Sequence, residues 1–380
     1  MILKPAAWSA LWTFPAILFS AFVIAWGAEA AQFLISQGLA LAILAWLQTL
    51  PEFAVEAVIA FEAGKDLSKT HLVIANFTGS LRLLVGLGWP MIYFVAAASR
   101  RKFTDIELEA EHAVEVFGLL LPIAYFTFIW WKGTLTVWDA FPLAACYFAY
   151  LWLLWKIPPR AAEKEALDDL GAIPRRTLEM RIPRRNATIW LMFIAGGALL
   201  YFSAHPFLNS MLALAASLGV STFVFVQWVA PFLSEFPEKL SAFYWARKVS
   251  TANIALMNMV SSNINQWSIL SAMIPVIFVF SSGRLQPIAF DSFQRQEIIL
   301  TILQSFLGFL LLINLRLQLH EAVILFVFWF VQFVVPSWRE AMIYVYLCWC
   351  LIELVRLIAN RSAPAAWIAL RRTLAELGAR

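Results

Sequence analysis

The chain has 380 residues, 62% of them apolar and only 14% charged, with a mean hydropathy of +0.76. A soluble domain carries about 45–50% apolar and about 25% charged residues, so these charges are too few to coat a water-facing surface of this size. A soluble enzyme, a disordered chain and a nucleic-acid binder are excluded as main readings. The net charge of +4 says little by itself, and Cys146, Cys348 and Cys350 all lie inside apolar runs, without a disulfide framework or a spaced zinc pattern.

A membrane helix needs roughly 20 mostly apolar residues. Such runs fall near 10–35, 39–62, 70–98, 113–131 and 134–156, then, after a polar stretch, near 188–216, 219–246, 253–280, 296–315, 320–336 and 340–359, which makes eleven candidate spans. Barrel strands need only about 9–11 residues and alternate in polarity, so the fold class is all-α, a polytopic membrane protein. In the first span, Ala28-Glu29-Ala30 resembles a signal-cleavage site. The apolar run continues past it, so a retained first helix is expected. The linker over 157–187 carries seven Lys/Arg, five Asp/Glu and four prolines. It is too polar to insert and is expected to hold a short amphipathic helix around 160–170 near the inner surface.

Orientation follows from basic residues in loops. With the N-terminus outside, the inside set is Arg100, Arg101 and Lys102, the linker, Arg247 with Lys248, Arg316, and the tail with Arg356, Arg361, Arg371 and Arg372. The outside loops hold only Lys4, Lys65, Lys69, Lys132, Arg284, Arg295 and Arg339. Eleven spans with the N-terminus outside and the linker and C-terminus cytoplasmic fit this bias.

The two halves resemble each other. The second span contains Gln48-Thr49-Leu50-Pro51-Glu52 and the seventh Ser234-Glu235-Phe236-Pro237-Glu238. Asn76 and Ser80 on the third span match Asn258 and Ser262 on the eighth. The offset is 182 there and again at Asp139/Glu321, and 186 at Glu52/Glu238. Five spans per half make the second repeat enter from the opposite side. The expected organisation is a first five-helix repeat (1–156), the linker (157–187), a second five-helix repeat (188–336), and an extra transmembrane helix with a basic tail (337–380).

Inverted repeats place substrate sites at mid-membrane, where helices break. Pro51 and Pro237 each remove a backbone donor and kink a helix there. A carboxylate at that depth costs at least about 2.5–3.5 kcal/mol on insertion scales, so Glu52 and Glu238 are functional candidates that should face each other across the pseudo-two-fold axis. Hard cations take six to eight oxygens. Asn76 with Ser80, and Asn258 with Ser262 and Gln266, lie one turn apart on shared faces, and Thr49 and Ser234 precede the breaks. The plain alternative is that these small polar residues only hold helices together; their pairing with duplicated Pro-Glu breaks favours ion coordination.

The segments Leu50–Gly88 and Phe236–Pro275 resemble the two α-repeats of the cation/Ca2+ exchanger superfamily, whose signature is T/S-x-P-E on one helix and G-N-x-x-G-S-N-x-x-N/D on the next. The resemblance implies an antiporter that moves Ca2+ or another cation in exchange for H+ or Na+, with no cofactor beyond the transported cation and with those ions and the lipid bilayer as its partners. Carried over by position, it implies as ligands Glu52, Glu238, Ser80 and Ser262, with Gln48, Thr49, Ser234 and Glu235. The pattern departs at Leu84, which cannot donate an oxygen, at Gln266, and at Arg82. At 100° per residue Arg82 lies about 200° from Ser80, so it should point away from the ligands, with Glu56 or Glu62 neutralising it. Two glutamates in one dry site resist being ionised together, which points to protons as counter-ions or competitors. A polytopic membrane enzyme would instead gather its polar motifs at one membrane face, and a degenerate family member would have lost calcium transport.

Overall fold

The computed structural model describes residues 9–31, 33–157, 171–217, 225–248, 251–359 and 363–378. The expected helix around 160–170 and the first eight residues lie outside them. The first half comprises α1 (Ala10–Ala31), α2 (Gln37–Gln48), α3 (Leu50–Lys65), α4 (Thr70–Leu83), a π-helical turn at Leu84–Gly88, α5 (Trp89–Arg100), α6 (Ala113–Lys132) and α7 (Ala140–Lys156). A short α8 (Ala172–Leu178) lies in the linker. The second half starts earlier than expected, with α9 (Ile182–Ser217). A π-helical turn at Phe225–Val229 follows, then α10 (Ala230–Ser234), α11 (Phe236–Ala246), α12 (Ala252–Asn265), a π-helical turn at Gln266–Leu270, α13 (Ser271–Ser282), α14 (Ser292–Leu312) and α15 (Leu319–Val334). The extra C-terminal pair is α16 (Arg339–Ala359) and α17 (Ala365–Gly378).

Among the described residues eight helices are long and apolar enough to cross a membrane, and nine if the bent pair α2–α3 forms one span. The remaining expected spans appear as the shorter α15, 16 residues long, and as the pieces around α10 and α11. Apolar side chains such as Trp131, Phe148, Trp155, Phe202 and Ile358 are exposed on the outer face, as lipid contact requires. Ala28, Glu29 and Ala30 are buried near the end of α1, where the Trp245 indole donates to Glu29 Oε1 at 2.6 Å.

The repeat is inverted, and four short strands display it. They are β1 (Ile106–Glu107), β2 (Thr134–Leu135), β3 (Ile288–Ala289) and β4 (Arg316–Leu317). At the offset of 182, β1 corresponds to β3 and β2 to β4. Yet β1 pairs with β4, Ile106 opposite Leu317, and β2 with β3, Thr134 opposite Ala289. Each strand therefore pairs with the counterpart of its neighbour in the same half, which requires the two halves to traverse the membrane in opposite senses. Helix packing repeats the exchange: α3 lies on α13 and α11 on α5, α2 lies on α12 and α10 on α4, and α1 lies against its own counterpart α9.

Local chemistry marks the same symmetry. The π-helical turns at Leu84–Gly88 and Gln266–Leu270 are again 182 apart. Asp139 and Glu321, matched in the sequence, serve the same purpose, since each is the acid of a capping box at the start of a helix. Asp139 accepts from the Thr136 amide, and Glu321 from the Gln318 amide, both at 2.7 Å. Such a box satisfies amides that have no partner within the helix.

One close crossing holds the two repeats together at the centre. A Cβ on Gly79 of α4 would collide with the backbone carbonyl of Gln227 in the π-helical turn that precedes α10. Gly79→Ala must push these segments apart. We expect a loss of about 1–3 kcal/mol, the usual cost of overpacking, read as a lower unfolding temperature in detergent. An unchanged temperature would show that the crossing is loose.

Candidate functional site

The site forms where the two broken spans meet the two π-bearing helices. Helix α2 ends at Gln48, and Thr49, with φ −86° and ψ −1°, bends the chain by 47° into α3. Pro51 stands in the first turn of α3, where its missing N–H costs nothing. Glu235 makes the equivalent joint between α10 and α11, followed by Pro237. Glu52 and Glu238 thus occupy the first turns of α3 and α11. There the free amides and the positive end of the helix dipole favour a carboxylate, by about 0.3–1 kcal/mol at a surface and more when buried.

Both glutamates are completely buried. Glu52 lies within electrostatic reach of Glu235, Glu238 and Glu56, and Glu238 within reach of Glu235. Gln266 bridges the two repeats, its Nε2 donating to Glu52 Oε2 at 2.6 Å and to Glu235 Oε1 at 3.2 Å. Ser80 from α4 contacts Glu235 and reaches Gln266 Oε1 at 2.9 Å. Asn76 Nδ2 donates to Glu56 Oε2 at 2.5 Å, and Asn258 Nδ2 to Gln48 Oε1 at 3.2 Å.

Several oxygens here are fully buried without a partner at normal hydrogen-bond distance and angle: Glu52 Oε1, both oxygens of Glu238, Ser262 Oγ, Asn76 Oδ1 and Asn258 Oδ1, with the Ser262 hydroxyl and the Glu238 carboxylate facing each other as a long, poorly aligned pair. They are hard donors, the kind Ca2+ selects. Among the described residues no group of three or more His, Cys, Asp or Glu side chains is placed to hold a metal ion by itself. The donors around Glu52 are instead a mixed set of carboxylate, amide and hydroxyl.

Not every expected ligand is free to point into the site. The Gln48 amide donates to Ser241 Oγ at 2.6 Å. The Thr49 hydroxyl donates to the Ala45 carbonyl at 3.0 Å and accepts from Asn265 Nδ2 at 2.6 Å. Ser234 bonds the Pro231 carbonyl at 3.2 Å. These groups close the joints of the broken helices. Glu235, carried over with them, is held by Ser80, Gln266 and the ammonium of Lys239.

Arg82 points away from Ser80, as its helical phase requires, but the expected partners are corrected. Glu62 pairs with Lys69 at 3.1 Å, and Glu56 accepts from Asn76. Arg82 instead forms a buried ion pair with Glu297 of α14, donates to Gln332 Oε1 at 3.1 Å and to the Thr78 carbonyl at 3.1 Å, and lies 5.0 Å from the Trp228 ring. Arg339, at the start of α16, holds the other oxygen of Glu297. Sequence reasoning missed Lys239, Glu297 and Gln332. The one available signal for Glu297 is Glu115 at the offset of 182.

Fold and site together define a multi-pass membrane protein of two inverted helical repeats that meet at buried, duplicated glutamates. The sodium/calcium exchanger protein family model matches residues 5–156 and 188–338, and the chain belongs to that family. Among solved structures it is similar to the H+/Ca2+ exchanger CAX, with a TM-score of 0.82 and 30% identity, covering 99% of this chain and 93% of that one. It also shares the fold of the sodium-calcium exchanger NCX_Mj from crystals soaked with Na+ and Ca2+, with a TM-score of 0.65 and 14% identity over 88% of this chain and 99% of that one. A search of curated protein sequences found no match.

Proposed function

We propose that this secondary antiporter carries a divalent cation, Ca2+ first among them, bound between Glu52 and Glu238, in exchange for protons. The observation that carries the reading is the cluster of unpartnered buried oxygens on Glu52, Glu238, Ser262, Asn76 and Asn258. Their burial without partners is costly unless a ligand completes them. Ser80 and Gln266 hold the first-repeat side, and Gln48, Thr49 and Ser234 keep the breaks in shape. Family membership speaks for transport rather than enzymatic catalysis.

Protons are favoured over sodium for two reasons. Leu84 stands where Gln266 stands in the other repeat and offers no oxygen, so the site has fewer ion positions. The more similar of the two structural neighbours exchanges H+ for Ca2+. Arg82, paired with Glu297, adds no free charge to the site, which weakens the degenerate reading. The proposed orientation has the N-terminus outside. It places the paired strands β1 and β4, the linker and α17 on the basic cytoplasmic side; α17 reaches that side through the Ala366 amide, which donates to the Ile313 carbonyl at 3.0 Å.

The test is uptake of radiolabelled Ca2+ into proteoliposomes. A pH gradient without sodium should drive flux, and a sodium gradient at fixed pH should not. Strong sodium dependence with no response to pH would overturn the proton preference. A Leu84→Asn variant should gain a sodium response, and its failure to do so would remove the stated cause.

A further inference from the structure

Lys239 is a charged feature of the site for which the first repeat holds no counterpart. Its ammonium forms an ion pair with Glu235 one turn earlier on the same helix face, next in sequence to Glu238, and only 6% of the side chain is exposed. The stem lies near the Phe232 ring, with Nζ 5.7 Å from its centroid. At the offset of 186, Glu235 corresponds to Thr49 and Lys239 to Phe53. The second repeat therefore carries an acid and a base that the first repeat lacks, and both lie at the ion site. Glu235 is completely enclosed, with Ser80 and Gln266 on one oxygen and Lys239 on the other.

We infer that Lys239 is a tethered cation that permanently fills one ion position of the site, so that no diffusible monovalent ion binds at Glu235. A lysine ammonium is a compact point charge, close in kind to a small alkali cation. Glu235 supplies one oxygen to it, while Glu52 and Glu238 remain open for the exchanged ions. Removing only the ammonium would leave a buried charge uncompensated, the costly case, and a free cation could relieve it. Removing both charges would leave nothing to compensate. The residue thus sets which ions count in the cycle. This inference rests on the antiport reading above.

Two variants decide it. Purified in detergent, Lys239→Met should show a rise in unfolding temperature, on the order of a few degrees, in NaCl over N-methyl-D-glucamine chloride at equal ionic strength. The unmodified protein, Lys239→Arg and the double variant Glu235→Gln/Lys239→Met should show none. In proteoliposomes with the voltage clamped, Lys239→Met should move one additional positive charge per divalent cation when sodium is present. Absence of the sodium-dependent shift in Lys239→Met, or an equal shift in the double variant, overturns the inference. The binding measurement stands even where Lys239→Met carries no flux. If the unmodified protein moves no divalent cation at all, the antiport reading fails separately, while sodium binding still judges Lys239.

Discussion

Glu238→Gln should abolish cation-driven flux, and Glu52→Gln should do so or nearly so. The substitution keeps the size of the side chain and removes one negative charge from a site already dry. Losing a group that merely orients a metal ligand costs about 10–100-fold in affinity; losing the ligand should exceed that and leave no measurable uptake. The structure ranks the two. Neither oxygen of Glu238 has a partner at normal hydrogen-bond geometry, only the Ser262 hydroxyl facing it, whereas Glu52 has one oxygen held by Gln266 at 2.6 Å. A glutamine at 238 therefore removes more donor capacity. At 52 its amide can turn its oxygen to Gln266 Nε2, so the helix junction should survive and the protein should fold. Uptake in proteoliposomes, normalised to folded protein by size-exclusion elution, is the measurement. Wild-type flux in both variants would refute coordination by these residues.

Glu297→Gln should be the most destabilising single change outside the ion site. Its carboxylate lies between two guanidinium groups, Arg82 on one oxygen and Arg339 on the other, and it also accepts from Gln227 Nε2 at 3.1 Å. Arg82 and Glu297 are almost fully buried, Arg82 within a span. Breaking a buried pair by removing one partner costs about 3–5 kcal/mol, because the remaining charge stays uncompensated. Glu297→Gln leaves two such cations. Arg82→Met leaves Glu297 still paired with Arg339 and should cost less. The pair also anchors α16 to the core, since Arg339 opens that helix, and Tyr346 within it accepts from Gln332 Nε2 at 2.9 Å. Thermal unfolding in detergent should therefore fall further for Glu297→Gln than for Arg82→Met. A loss below about 1 kcal/mol, the value of an exposed pair, would mean that the network contributes little.

The sequence by itself determined the class of the fold, the inverted repeat and the position of the candidate glutamates. Those features are local or duplicated. Insertion in a bilayer follows from composition over one span, a Pro-Glu break kinks its own helix, and a repeated offset requires no knowledge of contacts. Pairing across the fold was a different matter. Helical phase told which way Arg82 faces but not that Glu297, 215 residues later, would meet it, because several helices could have lain on that side. Phase likewise could not show that Lys239 folds back on Glu235 rather than turning away, or that Gln266 reaches both repeats. The π-helical turns and the exchanged strand pairs depend on how the two halves cross, and only the assembled helices decided them.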